Sequence, residues 1–407
     1  MDKLDVAVIG GGAAGFFAAI SVKENHPDAR VVIFEKSQKL LAKVKVSGGG
    51  RCNVTNGCTS ISELCKAYPR GGKSLKKPFQ VFNTKHTRGW FETRGVPLVI
   101  EEDDRVFPES QSSQSIIDCF LNETNRLNIE IVMGATISAL RPVDTKIELN
   151  LIRDDVKSKV FDKVIIASGG SPKKSGFAWL EDLNHKIENP VPSLFTFNVP
   201  NNPITKLMGI VVENSLVGIQ GTKLKSTGPL LITHWGLSGP AILKLSSYGA
   251  RQLSDLGYNF NVQINWVNET NNEIVLDLLN KNVQGHPKKL ISNVKPYSLS
   301  ERLWFYFLNK ASIPTEKKWG ELSKKSLNRL VNLLTNDVYE VKGKTTFKEE
   351  FVTCGGVSLQ SIDLQTMQSK VLPNLYFAGE VMDIDAITGG YNFQAAWTTG
   401  FIAGKLA

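Results

Sequence analysis

The sequence predicts an α/β protein whose Rossmann-type sheet is contributed by both ends of the chain, with a separate segment inserted between them. Three observations predict this fold class. The β-branched run Asp5–Ile9 leads directly into the glycine-rich sequence GGGAAG of residues 10–15. Two similar runs, at residues 162–167 and 374–378, also end in small residues. The stretch from about 178 to 345 differs in character, which indicates an insertion.

The first motif has every part of a dinucleotide-binding βαβ unit. Gly10 allows a tight turn, Gly12 lets the backbone approach a pyrophosphate, and Gly15 lets the helix pack closely against the strand. The N-terminus of that helix offers free N–H groups to the phosphates. A second strand, at residues 30–35, ends in Glu35, twenty residues past Gly15. Its carboxylate is predicted to bind the adenosine ribose hydroxyls and to repel the 2′-phosphate of NADP.

The loop SGGGRCNVTN, residues 47–56, is the next candidate for a ligand contact. Three adjacent glycines weaken regular structure because each costs backbone entropy, so they indicate backbone that lies against a flat ligand. The same loop supplies side chains that form hydrogen bonds, namely Ser47, Arg51, Asn53, Thr55 and Asn56.

The C-terminal region repeats the pattern of a strand followed by glycine and an acid, at Gly379 and Glu380. The sequence GGYNFQ, residues 389–394, then opens a final helix to about Leu406. We expect this helix N-terminus to meet the pyrimidine edge of a flavin, where the reduced form is anionic. Glu380 is placed to bind the ribityl hydroxyls.

The insertion has two parts. Strand-like runs broken by glycine and proline extend from about 190 to 266, and amphipathic segments at Glu273–Val283, Ser300–Ala311 and Ser323–Val338 predict helices. Further strands are predicted at Asn128–Thr136, Lys146–Arg153 and Phe351–Val357. The resulting domains are the first part of an FAD-binding domain (1–189), an inserted β domain (190–268), a helical subdomain (269–344) and the C-terminal part of the FAD-binding domain (345–407).

Composition bounds the class of partner. A hydrophobic content of 42% and a charged content of 21% are those of an ordinary globular protein. No apolar run reaches the roughly 18–20 residues of a membrane span, and the acidic N-terminus does not resemble a signal peptide, so we expect a cytoplasmic protein without membrane contact. The net charge of +9 is spread along the chain, with its densest patch at Arg70–Lys77. This distribution favours a small-molecule substrate over nucleic acid.

The five cysteines form no disulfide framework, and no Cys/His set has zinc spacing, so no metal site is expected. Cys52 and Cys58 are separated by five residues, which is one more than in the redox pair of flavin disulfide reductases. Cys52, next to Arg51, is either a reactive thiol or a small buried residue beside the flavin.

Together these motifs resemble a bacterial family of NAD(P)/FAD-dependent oxidoreductases that includes aminoacetone oxidase-like and bile-acid-inducible flavoproteins. The resemblance rests on GGGAAG, SGGGRCNVTN, RVFPES, THWGLSGP, VTCGGV and LYFAGEVMDIDAITGGYNFQAAWTTG. It implies a glutathione-reductase-2-type Rossmann FAD domain with an inserted β-barrel-like domain and a small helical domain. One departure is the segment Asp385–Thr388, where members of the family commonly have a glycine after the acid.

Carried over by motif, the resemblance implies a non-covalently bound FAD with contacts along most of the chain. The implied contacts are Gly10, Gly12, Ala14, Gly15, Glu35, Lys36, Lys43, Ser47, Gly50, Arg51, Asn53, Thr136, Ala167, Gly169, Gly379, Glu380, Gly390, Tyr391, Asn392 and Gln394.

Three residues are candidates for the chemistry beside the flavin. His234, in a loop bounded by glycine and proline, is either an acid/base group or a structural hydrogen-bonding residue. Arg105 either binds a carboxylate of the substrate or pairs with Glu101 or Asp103. Tyr391 flanks the predicted helix start, where contact with the flavin and catalysis are both open.

The expected function is an FAD-dependent oxidoreductase that acts on a small organic substrate, with hydride transfer at flavin N5. The chain has one nucleotide fingerprint. Therefore NAD(P)H either binds transiently elsewhere as the electron donor, or the electrons come from the substrate. A reductase of activated C=C bonds and an amine or aminoketone oxidase are both compatible with the family. Two further alternatives are a flavin-dependent RNA-modifying protein and a redox-sensing flavoprotein without turnover.

Overall fold

The structure is a computed structural model that describes residues 3–152, 158–345 and 352–407. The chain divides into two compact units, of which the first comprises Met1–Ser193 and Phe347–Ala407 and the second Leu194–Thr346. Each unit has its own hydrophobic core. Arg153 and Phe351, at the ends of two predicted strands, lie outside the described residues. The division of the insertion into β and helical parts stays a prediction.

A seven-stranded sheet forms the centre of the first unit. Its strands are, in spatial order, Ile362–Asp363, Gln368–Ser369, Leu375–Phe377, Lys163–Ile166, Asp5–Ile9, Arg30–Glu35 and Glu130–Met133. The last five run parallel, and Leu375–Phe377 pairs with Lys163–Ile166. Both chain ends therefore build one Rossmann-type sheet, and the predicted fold class is confirmed. Its central strands are buried on both faces, which explains their uninterrupted apolar sequence.

Helices cover this sheet, and their bounds are Ala13–Asn25, Ala42–Val46, Ile61–Lys66, Lys76–Val81, Thr84–Glu92, Ser113–Arg126, Ala178–Glu181 and Tyr391–Ala403. Aromatic rings fill the space between the longest of them. Phe17 lies 4.6 Å from Trp90 and 5.6 Å from Trp397, measured between ring centroids, and Phe120 lies 5.5 Å from Trp397. These four rings join helices from both chain ends in one core.

Three smaller sheets complete the first unit. Their strands are Thr55–Asn56, Leu98–Ile100 and Arg105–Pro108; Thr136–Val143, Lys146–Ile152 and Ser158–Phe161; and Ile187–Ser193 with Val352–Val357. The predicted strand Asn128–Thr136 is divided in the structure. Its central residues, Glu130–Met133, join the large sheet, and Gly134, with φ of +65°, turns the chain into the next strand.

The second unit contains an antiparallel seven-stranded sheet. Its order is Asp337–Lys342, Asn259–Asn265, Val211–Ile219, Lys225–Ile232, Gly236–Ser238, Thr196–Asn198 and Lys344–Thr345. The first and last of these strands are consecutive in the chain, separated by Gly343. The segment 337–345 thus pairs with both edges of the sheet and closes it on itself, in agreement with a barrel-like insertion.

Five helices accompany this sheet, with bounds Pro240–Tyr248, Ala250–Asp255, Asn272–Gly285, Glu301–Lys310 and Lys324–Thr335. The first two fall within the region predicted as strands. The predicted helix Ser323–Val338 ends earlier, because Asp337–Lys342 pairs with a distant strand that local sequence does not reveal. Within the described residues, no helix is both long and apolar enough to cross a membrane.

Candidate functional site

The glycine-rich turn has the geometry that its sequence predicted. Gly10 has φ of +115°, and a Cβ there would lie 2.3 Å from the carbonyl oxygen of Ala167. A Cβ on Gly15 would lie 1.9 Å from the carbonyl oxygen of Gly10. A Cβ on Gly12, at the N-cap of helix Ala13–Asn25, would meet no atom within 4 Å. Two glycines thus serve close packing, whereas the third leaves room for a ligand at the helix N-terminus.

The strand that follows places Glu35 beside this turn. Its two carboxylate oxygens accept hydrogen bonds from the backbone N–H groups of Gly11 and Ser37, each at 2.8 Å. Each oxygen keeps further acceptor capacity, so the carboxylate is oriented and still able to accept from a ribose hydroxyl. Lys36 and Thr136 are exposed. Both lie close to Glu35, because Lys36 follows it in the chain and the residue before Thr136 donates its N–H to the Glu35 carbonyl at 2.9 Å.

The triple-glycine loop adopts a conformation that side chains disfavour. Gly48, Gly49 and Gly50 have φ of +57°, +69° and +85° in succession. A Cβ on Gly49 or Gly50 would meet no atom within 4 Å, so the exposed backbone is free to present N–H groups to an anionic or flat ligand. The Ser47 hydroxyl donates to the carbonyl of Val44 at 2.9 Å and helps fix the start of the loop.

Cys52 follows this loop and is fully buried. Burial raises the pKa of its thiol to about 12, so the thiol stays protonated at neutral pH. Of the two roles that the sequence left open for Cys52, this environment matches a small buried residue and not a reactive thiol.

Two arginines near the loop are engaged with acids. Arg51 contacts Glu101 at 2.7 Å and stacks on Phe107, with 3.9 Å from its guanidinium carbon to the ring centroid. Arg105 contacts Asp103 at 2.6 Å and Glu101 at 3.2 Å. Of the two roles left open by the sequence, these contacts match pairing with acids.

The start of the last helix of the first unit is joined to the loop at residues 53–56. A Cβ on Gly390, whose φ is +85°, would lie 2.2 Å from the Thr55 carbonyl oxygen. With its amide oriented to satisfy its partners, Asn53 accepts from the Gly390 N–H and donates to the Thr55 carbonyl, both at 2.9 Å. Asn56 donates to the carbonyl of Gly389 at 3.2 Å. These contacts fix the position of the helix N-terminus.

Two polar residues of this helix are occupied by protein partners. The buried amide oxygen of Gln394 accepts from the Thr55 hydroxyl at 2.5 Å and the Thr87 hydroxyl at 2.8 Å. The amide of Asn392 both accepts from the N–H and donates to the carbonyl of Ala386, at 3.0 and 3.1 Å. These side chains hold the helix start, and their contact with FAD stays a prediction.

Tyr391 lies at the first position of the helix, and the structure surrounds it with other elements of the first unit. Its carbonyl accepts from the Tyr68 hydroxyl at 2.6 Å, and the two rings meet edge to face at 6.2 Å. Its ring is half-buried. His234, by contrast, belongs to the second unit, where it is exposed and lies 4.3 Å from the Trp235 ring.

Glu380 is held in place by two contacts. One carboxylate oxygen accepts from the Thr353 N–H at 2.8 Å, and the other pairs with Lys43 at 2.6 Å. Thr353 was not among the predicted site residues, although it lies within the VTCGGV motif. Gly169 has φ of +75°, and a Cβ there would meet no atom within 4 Å. The next residue, Gly170, packs against the Glu380 carboxylate.

A buried ion pair ties down the segment before the last helix. The Asp385 carboxylate has no exposed surface. It accepts hydrogen bonds from the Arg70 guanidinium, with 2.5 Å to Nε, and from the Ser193 hydroxyl, at 2.7 Å. Burial raises the pKa of Asp385, and the contacts with Arg70 and Ser193 oppose that shift. Ile387 donates its N–H to the carbonyl of Ala67 at 2.9 Å. The segment that departs from the family pattern is thus firmly anchored.

Taken together, the first unit offers a glycine-lined cradle for an extended dinucleotide on a Rossmann-type sheet, which defines a nucleotide-binding α/β protein. Sequence comparison identifies the family. The model of the HI0933-like protein Rossmann domain matches residues 4–406, so the chain belongs to this family. The oxidoreductase family predicted from the motifs is confirmed.

Two characterised relatives match almost the full length of the chain. A 3-dehydro-bile acid delta(4,6)-reductase of Clostridium scindens is 27% identical, over 99% of this chain and 98% of the relative. A ribosomal RNA dihydrouridine synthase of Escherichia coli is 28% identical, over 98% of this chain and 97% of the relative. Among solved structures, the 3-ketosteroid delta1-dehydrogenase of Sterolibacterium denitrificans is similar in fold, with a TM-score of 0.53, 10% identity and 99% coverage of both chains.

The Asp385 pair leads to a prediction on stability. We expect Asp385→Ala to lower the free energy of unfolding by about 3–5 kcal/mol, because it removes the buried carboxylate that the Arg70 guanidinium contacts. The measurement is urea unfolding followed by circular dichroism. Lys174→Ala, which breaks an exposed pair with Glu181, is the control and should cost about 0–1 kcal/mol. Equal losses in the two variants would contradict the structural role of Asp385.

Gly170 leads to a prediction on cofactor binding. A Cβ at this position would lie 2.5 Å from the Thr353 hydroxyl oxygen and 2.8 Å from the nearer Glu380 carboxylate oxygen, so Gly170→Ala should displace Glu380. We expect weaker FAD binding, measured by fluorescence titration of the apoprotein. Gly89→Ala is the control, because a Cβ on this helical glycine meets no atom within 4 Å. Unchanged affinity in Gly170→Ala would count against Glu380 as an FAD ligand.

Proposed function

We propose that the protein is an FAD-dependent reductase that adds hydrogen across a C=C bond conjugated to a carbonyl group. The observation that carries the proposal is the chemistry shared by two relatives that match the chain over almost its full length. One is named for reducing delta(4,6) double bonds of a 3-dehydro bile acid, and the other for making dihydrouridine in RNA. Both names describe saturation of a C=C bond conjugated to C=O, on otherwise unrelated molecules. The aminoketone oxidase remains an open alternative.

The cradle of the first unit supports FAD as the cofactor. The open backbone at Gly12 and Gly49 suits a pyrophosphate, and the carboxylate of Glu35, held by the Gly11 N–H, would accept from a ribose hydroxyl. Glu380, steadied by Lys43 and the Thr353 N–H, suits the ribityl hydroxyls. The start of helix Tyr391–Ala403 would then face the pyrimidine edge, where its partial positive charge favours an anionic reduced flavin. Binding is proposed to be non-covalent.

The proposed reaction requires a hydride, a proton and an electron donor. Once bound and reduced by the donor, the flavin would supply from N5 the hydride that adds to the β-carbon of the conjugated carbonyl compound. A protein group or water then gives a proton to the α-carbon, and the C=C bond becomes a C–C single bond. NAD(P)H is the proposed donor, which gives up its hydride and leaves as NAD(P)⁺.

Of the three candidates for the chemistry, Tyr391 has the strongest support as the proton donor. A phenol has a proton to give, it is half-buried, and it stands at the helix start assigned to the flavin ring. Arg105 is engaged with two acids and an arginine does not release its proton in proteins. His234 has suitable chemistry and stays a candidate from the second unit.

Uridine in RNA is a second candidate substrate, favoured by the dihydrouridine synthase relative and by one surface feature. Lys73, Lys76 and Lys77 are exposed, and none of them has a carboxylate within 4 Å among the described residues. They follow Tyr68, which binds the helix start through the Tyr391 carbonyl. A group of exposed lysines in the same unit as the proposed flavin site suits a phosphate backbone.

The experiment that tests the function presents both substrate classes to the purified holoprotein without oxygen. NADH and NADPH are supplied in turn, with a 3-oxo-4-ene steroid in one arm and an unmodified ribosomal RNA transcript in the other. Product that gains two hydrogens by mass spectrometry, together with stoichiometric loss of NAD(P)H, supports the proposal. Reduction of the flavin with neither product formed in either arm would contradict it.

Tyr391→Phe tests the proton donor. We expect turnover of the accepted substrate to fall by about 10²–10⁴-fold, since a positioned acid contributes on that order. Flavin content and the rate of flavin reduction by NAD(P)H are measured in parallel, so that a loss of turnover with both unchanged separates proton donation from the FAD contact that the resemblance implies for Tyr391. His234→Gln is the parallel variant. Full activity in Tyr391→Phe and loss in His234→Gln would transfer the role to His234.

A further inference from the structure

The second unit carries an exposed pair of aromatic rings at the tip of a turn. Trp235 has 49% of its surface exposed, and the exposed His234 ring lies 4.3 Å from it at an interplanar angle of 43°. A large aromatic side chain left in water loses the free energy that burial would provide. An exposed indole next to a second ring offers a flat apolar surface on which a ligand can stack.

The turn beneath these rings is rigid. The Thr233 hydroxyl oxygen accepts the N–H groups of Trp235 and Gly236, at 3.3 and 3.1 Å. The Thr233 N–H in turn donates to the Gly236 carbonyl at 2.7 Å. A Cβ on Gly236, whose φ is +152°, would lie 2.2 Å from the Phe197 carbonyl oxygen. The rings are therefore held outward by a fixed backbone, so little conformational entropy is lost when a ligand binds them.

A second turn with a basic rim lies beside the first. Gly209 donates its N–H to the carbonyl of Ile232 at 2.9 Å, which brings residues 206–209 next to Thr233. Lys206 is exposed, and Arg302 donates to the Lys206 carbonyl at 2.8 Å. Neither cation has a carboxylate within 4 Å in the part of the chain that the structure describes. Two turns are thus joined through the backbone, one with two exposed aromatic residues and the other with Lys206, whose carbonyl binds Arg302.

We propose that these residues, His234, Trp235, Lys206 and Arg302, form a docking ledge for single-stranded RNA, with an unpaired base stacked on Trp235 and the flanking phosphates at Lys206 and Arg302. The proposal rests on the RNA candidate under the proposed function. Aromatic platforms flanked by cations bind single strands because every base has a π-face and every linkage a phosphate. A bile acid carries a single carboxylate and would engage one of the two cations, whereas a nucleic acid strand supplies a phosphate to each.

The test measures binding of a fluorescently labelled, uridine-containing single-stranded RNA oligonucleotide to the full-length holoprotein by anisotropy. Trp235→Ala should weaken binding by about 5- to 100-fold, the range that loss of one base stack gives. Trp235→Phe should retain most of the affinity, because a phenyl ring still stacks. Tyr248→Ala is the matched control, since Tyr248 is an aromatic residue of the same unit with 47% exposure.

A salt titration tests the basic rim separately. Lys206→Ala should reduce the slope of log affinity against log salt by about 0.7, as expected for one lost phosphate contact on a single strand. FAD content and the thermal midpoint of each variant are measured in parallel. If FAD content and thermal midpoint equal those of the wild type, a loss of affinity is due to the ledge and not to misfolding.

The outcomes separate the ledge from the proposed function. RNA reduced by the wild type but bound equally by Trp235→Ala would overturn the ledge and leave the RNA function standing. No RNA binding by a wild type that reduces the steroid would overturn the RNA candidate and the ledge with it. A loss of affinity in Trp235→Ala for the steroid alone would assign the ring pair to a small substrate and overturn the proposal.

Discussion

The two chain ends form one dinucleotide-binding unit because their helices approach each other at backbone distance. A Cβ on Gly400 would lie 2.8 Å from the carbonyl oxygen of Ala14, and one on Gly404 would lie 2.6 Å from that of Ala18. Only small residues on both helices permit this approach, and larger ones would push the last helix outward. The glycine-rich turn and the C-terminal helix start are fixed relative to each other by this contact, so every further feature of the cradle depends on it.

Polar contacts then specify how the helix start is oriented. Gln394 lies at the centre of a buried network, in which it accepts from Thr55 and Thr87 and donates to Thr398 at 3.0 Å. Apolar packing alone would tolerate rotation of the helix about its axis. A buried amide held by three hydrogen bonds does not, because rotation would leave polar groups without a partner. Residues that look like ligands in the sequence therefore first serve the geometry of the ligand site.

The sequence predicted those parts of the fold and site that have a local signature. The strand-turn-helix at residues 5–25 could be identified because its glycine spacing follows from the turn itself. The Arg70 and Asp385 contact could not, because 315 residues separate its members and each alone resembles an ordinary surface charge. The predicted helix Ser323–Val338 extends into strand Asp337–Lys342 for a related reason, since the pairing of this strand with Asn259–Asn265 is set by tertiary structure.

The Asp385 pair fixes geometry at a cost in free energy. The pKa of Asp385 is raised even though a guanidinium and a hydroxyl bind the carboxylate, so loss of hydration outweighs both contacts. A buried pair of this kind contributes little net stability compared with apolar residues of the same volume. What it does provide is a single permitted arrangement, because only one placement of the segment at residues 383–390 lets Asp385 meet Arg70 and Ser193 together. Since that segment leads into the helix start assigned to the flavin ring, the structural cost is best explained by the precision that flavin chemistry requires.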